Sequence, residues 1–474
     1  MLVASNRGPV RFVADPDAPG GYRAVPAAGG VASALRPLLV DGGTATPVTW
    51  VAVAASDDDR AATAAGASPV VHGARAGDDT GADLDLVLLD LDPDVARRHY
   101  DEVSNAVLWF LYHGMFDHVS APTFDVDFTR AWAAYTEVNR AFADALAARA
   151  APDDVVLVQD YHLALTPGML RAARPDLRIA HFTHTPFCGP NSIRTLPDAV
   201  ASELLASMAS VPCGFHTDRW ARSYAASVRE VLGADTEPVT FTAPLGPDPA
   251  ALAALAATPA ATAATAELDR LIGDRAAIVR VDRVEPSKNI ARGFVAYDRL
   301  LADHPEWRER VVFVALLNAS RETVPAYVRY AEEVAAAAAA VNARWATPTW
   351  QPVVVDTRDD YPRSIAGLAR ADVVMVNPIR DGLNLVAKEA PIVSTRDAVL
   401  CCSPEAGSYA ELAGACLEFH PFDVAAGATA LHAALTMGPR ERAERAARLR
   451  SLAAAHSPQT WLDAQIAAAR APRG

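Results

Sequence analysis

The sequence predicts an α/β protein with two domains of similar size, each a parallel β-sheet covered by helices. Short, continuously apolar runs alternate with helical segments along most of the 474 residues, a rhythm typical of strands buried on both faces. A chain of this length exceeds one ordinary hydrophobic core. Near its middle, the proline-rich stretch 244–249 interrupts the rhythm. We therefore expect two Rossmann-like domains with a ligand site in the cleft between them.

The strands are predicted from apolar runs that are too short to be helices. In chain order they are Leu2–Ala4, Thr49–Ala54, Leu84–Leu89, Val155–Gln159, Ile179–Thr183, Ala277–Val281, Val311–Leu316, Pro352–Val355 and Val373–Val376. Longer segments such as Arg130–Ala148 and Pro325–Trp345 supply the helices. We expect an N-terminal domain over residues 1–245 and a C-terminal domain over residues 246–455. Residues 456–474 are predicted to form a helix that packs back on the N-terminal domain.

Composition and charge exclude several classes of protein. With 51% hydrophobic and 21% charged residues the chain is globular, and its net charge of −14 argues against general binding to nucleic acid or a membrane surface. No apolar run approaches the ~20 residues that cross a bilayer, and the first residues lack the features of a signal peptide. The odd number of cysteines shows no metal-ligand spacing, so we expect reduced core thiols and a cytoplasmic protein. These cysteines are Cys188, Cys213, Cys401, Cys402 and Cys416.

The segment after the first predicted strand carries a candidate anion ligand. Arg7, in A-S-N-R-G-P-V, lies at the ligand edge of a parallel sheet. Its forked guanidinium suits a phosphate, although an arginine solvated in a loop explains the residue equally well. Further on, Gly29 and Gly30 open a predicted helix, where bare backbone N–H groups can approach a phosphate. Ordinary turns use the same pair of glycines, so this second signal is weak.

Aromatic and polar groups follow in the first half of the chain. Tyr100 and Trp109 combine flat apolar faces with polar edges, which suits a sugar, but an aromatic stripe at helical spacing more often belongs to the core. Asp160 and His184 each follow an apolar strand, a position that packing explains poorly. We expect Asp160 to accept hydrogen bonds from substrate hydroxyls and His184 to donate one.

The second half places cations at two strand ends. Arg283 and Lys288 follow the strand that begins at Ala277, and Arg321 follows the next strand. Such groups neutralise a diphosphate, whereas the alternative is a solvated charge cluster. The stretch N-P-I-R-D-G-L-N-L-V-A-K-E adds Asp381 and Glu389. Since carboxylates hold sugar hydroxyls, the combined pattern predicts binding of a nucleoside diphosphate and a sugar.

Several fingerprints of other enzyme classes are missing from the sequence. It contains no Walker loop, no G-x-G-x-x-G after the first strand and no G-x-S-x-G. Rossmann-like strands without a dinucleotide fingerprint point away from an oxidoreductase. We expect neither a cofactor nor a metal ion.

Taken in order, eight short motifs resemble trehalose-6-phosphate synthases, which are retaining glycosyltransferases of the GT-B fold. The motifs are S-N-R (5–7), G-G (29–30), S-N-A-V-L-W (104–109), Q-D-Y-H-L (159–163), H-T-P-F (184–187), R-V-E-P-S-K (283–288), A-S-R (319–321) and D-G-L-N-L-V-A-K-E (381–389). They span nearly the whole chain, and their order is far more specific than any single motif. The resemblance implies a nucleoside diphosphate-sugar donor, a sugar-phosphate acceptor and no metal ion.

The same resemblance assigns roles to individual residues. The acceptor side would comprise Arg7, Gly29, Gly30, Tyr100, Trp109, Asp160 and His184. Arg7, Tyr100 and also Arg321 would lie near the acceptor phosphate. The donor side would comprise Arg283, Lys288, Asp381, Gly382, Leu383, Asn384, Leu385, Val386 and Glu389, the last on the nucleotide ribose. The residues that contribute most to catalysis would be Asp160, His184, Arg283 and Lys288. In this family the leaving phosphate accepts the acceptor's proton, so the protein positions substrates and stabilises the leaving group.

Two departures from the family pattern leave the substrates open. The family usually has a second tryptophan three residues after the equivalent of Trp50, where this sequence has Val53. The stretch E-A-P-I-V-S-T-R-D-A, from Glu389 on, is similar both to synthases that favour GDP-glucose and to pseudoglycosyltransferases. The latter join a nucleotide-linked cyclitol to an amino-cyclitol phosphate.

We expect the chain to transfer glucose from a nucleoside diphosphate, GDP in preference to UDP, to glucose 6-phosphate, giving α,α-trehalose 6-phosphate. One alternative is a variant with a cyclitol or amino-sugar donor or acceptor. An alternative of another class is an inactive regulator that binds sugar phosphates. The sequence leaves open whether the protein is a homo-oligomer.

Overall fold

The computed structural model of the chain describes residues 1–27, 34–41, 48–64, 70–71 and 84–472. The chain forms two compact units, each with its own sheet. Unit 1 comprises Met1–Ala243 and Pro458–Gly474, and unit 2 comprises Pro244–Ser457.

The strands of unit 1 are β1 (Leu2–Ala4), β2 (Val10–Ala14), β3 (Tyr22–Pro26), β4 (Val48–Val53), β5 (Val70–Val71), β6 (Leu84–Leu89), β7 (Val155–Gln159), β8 (Arg178–Thr183), β9 (Cys213–Phe215) and β10 (Thr240–Thr242). Eight of them form one sheet in the order β10-β9-β8-β7-β1-β4-β6-β5, while β2 and β3 form a separate hairpin. The neighbours pair in parallel except β5, which is antiparallel to β6. The strand order changes direction between β1 and β7, so their carboxyl ends flank a switch point of the kind that binds ligands.

The described helices of this part are α1 (Asp57–Ala64), α2 (Pro93–Arg97), α3 (Trp109–His113), α4 (Val126–Arg149), α5 (Thr166–Ala173), α6 (Pro190–Ile193), α7 (Asp198–Ala209) and α8 (Asp218–Leu232). Between α2 and α3 the chain makes π-helical turns over Arg98–Leu108. Side chains that accept from free backbone N–H groups fix three helix starts, namely Asp92 for α2, Asp125 for α4 and Thr217 for α8.

Unit 2 repeats the same plan. Its strands are β11 (Ala276–Arg283), β12 (Val311–Asn318), β13 (Val353–Asp356), β14 (Val373–Val376), β15 (Val399–Cys402) and β16 (Leu417–Glu418). They form one parallel sheet in the order β13-β12-β11-β14-β15-β16. The order changes direction between β11 and β14, so the segments after these two strands flank the second switch point.

The helices of unit 2 are α9 (Pro249–Ala256), α10 (Pro259–Ile272), α11 (Ile290–Asp303), α12 (Pro325–Trp345), α13 (Tyr361–Arg370), α14 (Val386–Val393), α15 (Tyr409–Leu412), α16 (Val424–Thr436) and α17 (Pro439–Ala453). Two apolar clusters bury alternate residues of β11, β12 and β14. One includes Ile278, Phe313 and Phe294, and the other includes Val279 and Val314. The sheet is therefore buried on both faces.

The last helix, α18 (Pro458–Arg470), belongs to unit 1. It packs against β7 and β8 and buries Trp461, Leu462 and Gln465. In this way the end of the chain completes the unit in which it begins.

The predicted α/β class and all nine predicted strands are confirmed, with ends within two residues of those observed. The sequence does not predict the other seven strands, which are β2, β3, β5, β9, β10, β15 and β16. The five cysteines are buried and none of them forms a disulfide bond within the described residues.

Within the described ranges, no single helix is long and apolar enough to span a membrane. The pair α9 and α10 passes that test by length and composition only when taken together, and these two helices meet at 68°.

Candidate functional site

In unit 1, the segment after β1 brings Arg7 to Tyr100. Ser5 donates its hydroxyl to the Arg7 carbonyl at 2.7 Å and accepts from the buried indole N–H of Trp50 at 2.8 Å. This bracing directs Nη2 of Arg7 to the Tyr100 hydroxyl, at 3.3 Å. The Tyr100 ring in turn stacks on His162, with ring centres 5.5 Å apart. Two residues that are predicted to lie near the acceptor phosphate, Arg7 and Tyr100, are thus in contact.

The ends of β7 and β8 bring Asp160 and His184 together. Asp160 has a left-handed backbone, with φ of 70°, and its carboxylate accepts from the backbone N–H of His184 at 3.2 Å. Burial, followed by the charges of His216 and His181, holds the pKa of His184 well below its usual value. The imidazole is therefore neutral near pH 7 and can serve a hydroxyl but not neutralise a phosphate.

Of three other predicted acceptor residues, only Trp109 lies in the part of the chain that the structure describes. Trp109 is only 2% exposed and stacks on His113, with ring centres 4.1 Å apart, which fits the core alternative weighed for the aromatic stripe. Gly29 and Gly30 lie outside the described residues. The roles of all three in acceptor binding stay predictions.

In unit 2, cations and carboxylates cluster after β11 and β12. Lys288 lies 2.5 Å from Asp381 and 3.9 Å from Asp282. Arg283 and Arg321 share the buried carboxylate of Glu285, at 3.2 and 3.0 Å. The side chain of Arg283 is 56% exposed while that of Arg321 is 9% exposed. Arg283 is therefore the more accessible of these two guanidinium groups to an anionic ligand.

Arg280 is a buried side chain that holds this cluster together by hydrogen bonds, and the sequence predictions do not include it. Its side chain is 1% exposed and donates to Asp282 at 2.8 Å, to Asn377 at 2.7 Å and to the Lys288 carbonyl at 2.5 Å. It thereby ties the segment after β11 to the segment after β14. The signal was an arginine in the middle of an apolar strand, A-A-I-V-R-V-D-R, where a charge needs buried partners.

The loop after β14 holds the predicted donor residues in one backbone network. Asn384 has a left-handed φ of 77°. Its amide donates to Asp381 at 3.1 Å, and its side-chain oxygen accepts from the N–H of Ala387 in α14. A second loop supports this one, since Gly407 N–H donates to the Asp381 carbonyl and Ser408 N–H to the Leu383 carbonyl. Gly382, Leu383 and Asn384 are all buried.

Leu385 caps α14, whose first residue is Val386 and which carries Glu389 in its first turn. The Glu389 carboxylate accepts from the hydroxyl of Tyr361 at 2.9 Å, and burial raises its pKa. The neighbouring Lys388 is fully buried and binds Glu411 and the Leu245 carbonyl. In the motif V-A-K-E, the lysine is therefore structural and the glutamate is the side chain left for a ligand.

Among the described residues, one group of potential metal ligands lies away from these loops, namely His304, Glu306 and His432. The two imidazoles stack face to face, with ring centres 3.6 Å apart and an angle of 8° between the ring planes, so their ring lone pairs do not converge on one point. Trp307 also donates its indole N–H to Nδ1 of His432, at 3.2 Å. We assign no metal role to this group.

The profile of glycosyltransferase family 20 matches residues 1–471. Two named proteins are similar over almost the whole chain. Validamine 7-phosphate valienyltransferase of Streptomyces hygroscopicus subsp. jinggangensis is 32% identical, over 98% of this chain and 93% of its own. A UDP-forming α,α-trehalose-phosphate synthase of Yarrowia lipolytica is 30% identical, over 98% of both chains.

Solved structures show the same similarity. A UDP-forming α,α-trehalose-phosphate synthase of Burkholderia vietnamiensis superposes with a TM-score of 0.81 at 29% identity, over 99% of each chain. A second synthase, of Burkholderia xenovorans in complex with glucose 6-phosphate, gives a TM-score of 0.81 at 25% identity and the same coverage. The two Rossmann-like units thus have the GT-B fold.

Proposed function

Because this chain belongs to glycosyltransferase family 20, we propose that it transfers glucose from a nucleoside diphosphate to glucose 6-phosphate, giving α,α-trehalose 6-phosphate. The observation that carries the proposal is the pair of switch points: polar residues cluster after β1, β7 and β8 in unit 1, and cations cluster after β11 and β12 in unit 2. The similar synthases, one of them in complex with glucose 6-phosphate, support this choice of substrates.

On the donor side, we propose that Arg283 and Lys288 bind the diphosphate. Lys288 keeps its charge despite burial, because Asp381, Asp282 and Glu285 raise its pKa. As the sugar–phosphate bond breaks, negative charge develops on the leaving diphosphate, and fixed cations stabilise it. Glu389 receives the ribose hydroxyls from α14. The loop 381–386 encloses the sugar and phosphates.

On the acceptor side, we propose that Arg7 and Tyr100 bind the phosphate of glucose 6-phosphate, with Arg321 close to the same group. Asp160 is suited to hold sugar hydroxyls, since its carboxylate is fixed by the His184 N–H. In this scheme the attacking hydroxyl forms a bond to the anomeric carbon on the face that the phosphate leaves. Its proton passes to the leaving phosphate oxygen, and the protein supplies orientation.

A matrix of substrate pairs tests the proposal. The protein is incubated with GDP-, UDP- or ADP-glucose, each with glucose 6-phosphate, and release of nucleoside diphosphate is followed together with product mass. We expect one pair to yield a trehalose 6-phosphate mass with stoichiometric nucleotide release. The sequence predicts GDP-glucose as the donor, whereas the similar synthases are named UDP-forming. The matrix decides between these two donors. Absence of turnover with all three donors would exclude the synthase reaction.

A second candidate reaction joins a nucleotide-linked cyclitol to an amino-cyclitol phosphate. It is favoured by the stretch E-A-P-I-V-S-T-R-D-A and by the similarity to validamine 7-phosphate valienyltransferase. A nucleotide-linked valienol with validamine 7-phosphate is therefore the added arm of the matrix. If only the valienol and validamine 7-phosphate pair is turned over, the cyclitol reaction and not the glucose reaction is the activity of the protein.

A further inference from the structure

Two glutamines connect the last helix of unit 1 to His184. Gln465, on α18, is 1% exposed, and Gln159, at the end of β7, is fully buried. The amide nitrogen of Gln159 donates to the side-chain oxygen of Gln465 at 2.8 Å. The amide oxygen of Gln159 lies 3.0 Å from Nε2 of His184. A continuous chain of hydrogen bonds therefore runs from α18 to the imidazole.

The direction of this chain is fixed at its far end by a backbone carbonyl. A glutamine amide can be reversed by a flip, but a carbonyl oxygen can only accept. Gln465 places its amide nitrogen 3.5 Å from the carbonyl oxygen of Trp461, so its own oxygen faces Gln159. Gln159 must then direct its nitrogen to Gln465 and its oxygen to His184. The reversed arrangement would set two oxygens against each other at the Trp461 carbonyl, inside a buried site where unmet acceptors are costly.

The amide oxygen of Gln159 accepts, so Nε2 of His184 is the nitrogen that carries hydrogen. Since the imidazole is neutral, only one of its nitrogens is protonated, and Nδ1 keeps a lone pair. Among the described residues, no side chain or backbone group hydrogen-bonds to this Nδ1. It is the ring atom that is left for a ligand.

We infer that Gln465 is a positioning residue that holds His184, through Gln159, in the tautomer with hydrogen on Nε2, so that Nδ1 accepts a hydrogen bond from a substrate hydroxyl. The inference rests on the proposed function in that His184 contacts substrate. It reverses the expectation that His184 donates. It also defines a specificity: the substrate group at this point must carry a hydrogen, as a hydroxyl or ammonium does, and a carbonyl or carboxylate is disfavoured.

Nitrogen-15 NMR of the histidine rings tests the tautomer directly, because protonated and unprotonated ring nitrogens differ widely in chemical shift. The full-length deuterated protein is labelled on histidine, and the His184→Gln variant assigns the signal. We expect the wild type to show hydrogen on Nε2. Gln465→Leu should populate both tautomers. Gln465→Glu should keep the wild-type one, because a buried carboxyl group is neutral and can both donate to the Trp461 carbonyl and accept from Gln159. Gln459→Leu, at an exposed position of α18, is the matched control and should change nothing.

Kinetics with the active substrate pair provide the second readout. Gln465→Leu should lower kcat/KM about tenfold, the effect of one hydrogen bond to substrate, and Gln465→Glu should restore it. Gln159→Leu removes the acceptor itself and serves as the second variant where Gln465→Leu does not fold. The inference would be overturned by hydrogen on Nδ1 of His184 in the wild type. It would also be overturned if Gln465→Leu and Gln159→Leu both kept the wild-type tautomer. The tautomer is measured without substrate, so a failure of the proposed function does not affect this result.

Discussion

At the scale of single residues, the carboxylate of Glu285 determines how the donor-side cations are held. It is 2% exposed and lies against both Arg283 and Arg321. Burial alone would raise its pKa, but Arg283, Arg321 and Lys288 together lower it to about 2. A buried carboxylate with these partners fixes the guanidinium groups before any ligand binds. A leaving diphosphate would then meet charges that need little reorganisation.

If Arg283 stabilises the leaving group, Arg283→Ala should cost ~2–4 kcal/mol of transition-state stabilisation, measured as loss of kcat/KM. Lys288→Ala should cost a similar amount. Arg299 is the matched control, because its side chain is 58% exposed and pairs with Asp303 in the same unit. Arg299→Ala should change turnover by less than about twofold, as expected for an exposed ion pair. A loss below about tenfold, or ~1.4 kcal/mol, in either site variant would remove that residue from the role.

The lowered pKa of Glu285 also predicts a pH dependence of stability. A carboxylate whose folded pKa lies below its unfolded value stabilises the fold above the unfolded pKa, near 4.5, and loses that effect as pH falls toward 2. Glu285→Gln should therefore lower the free energy of unfolding by about 3 kcal/mol at pH 7. At pH 3 the difference in free energy of unfolding between Glu285→Gln and the wild type should be less than half of its value at pH 7. Urea unfolding at both pH values measures it, and a difference that does not change with pH would contradict the assignment.

At the scale of elements, the donor loop depends on a close backbone approach by a second loop. A Cβ atom at Gly407 would lie only 2.0 Å from the Gly382 carbonyl oxygen. Hydrogen bonds from Gly407 and Ser408 hold the loop 381–385 in register. Because both partners are backbone, neither can yield to an added side chain without moving the loop. Glycine at this position therefore sets the shape of the predicted donor site.

Gly407→Ala should displace the donor loop and cost at least ~1–3 kcal/mol of stability. A loop shift of about 1 Å should also lower kcat/KM for the nucleotide sugar on the order of 100-fold. Gly438 is the control, since a Cβ there meets nothing within 4 Å. Gly438→Ala should leave turnover unchanged and cost less than about 1 kcal/mol, the effect of alanine at a helix start. Equal kinetics for the two variants would show that the loop tolerates the added methyl group.

The sequence predicts those strands that have a clear apolar pattern and misses those that are too short to show one. Continuous apolar runs such as Val373–Val376 are buried on both faces and stand out from their helical surroundings. The omitted β9 and β10 have only three residues each, so tertiary pairing rather than local pattern makes them strands. The two adjacent cysteines of β15, Cys401 and Cys402, give no strand signal in the sequence, although their burial on both faces is that of an interior strand.

The candidate site, too, is predicted from the sequence only in part. Strand-end positions of Asp160, His184 and Lys288 follow from sequence, because parallel strands end at one edge. The side chains with which these residues pair cannot be predicted from the sequence, since Lys288 and Asp381, for example, are 93 positions apart. Gln465 was missed for the same reason: it meets Gln159 across 306 positions, and nothing in the local sequence of α18 marks it.

At the scale of the whole molecule, the chain leaves unit 1 and returns to it by two connections that run side by side. Within unit 2, Gly246 packs against the backbone of His456, so closely that a Cβ atom would lie 1.7 Å from the His456 carbonyl oxygen. Unit 2 is one continuous segment, and both of its apolar clusters lie within it. Unit 1 is discontinuous and needs α18 to cover β7 and β8.

This arrangement predicts different behaviour for the separated units. Residues 244–457 expressed alone should fold, with a cooperative thermal transition, because the segment keeps its complete sheet and its covering helices. Residues 1–243 alone should be strongly destabilised, since they lose the buried Trp461 and Leu462, and each large buried side chain contributes ~2–5 kcal/mol. Joining residues 1–243 to residues 458–472 through a short glycine–serine linker should restore a cooperative transition, because the two connections leave unit 2 at neighbouring points. A Trp461→Ala version of the joined protein is the control and should unfold at lower temperature. Calorimetry of the four proteins measures the outcome, and equal stability of residues 1–243 with and without the helix would show that α18 is not part of the unit's core.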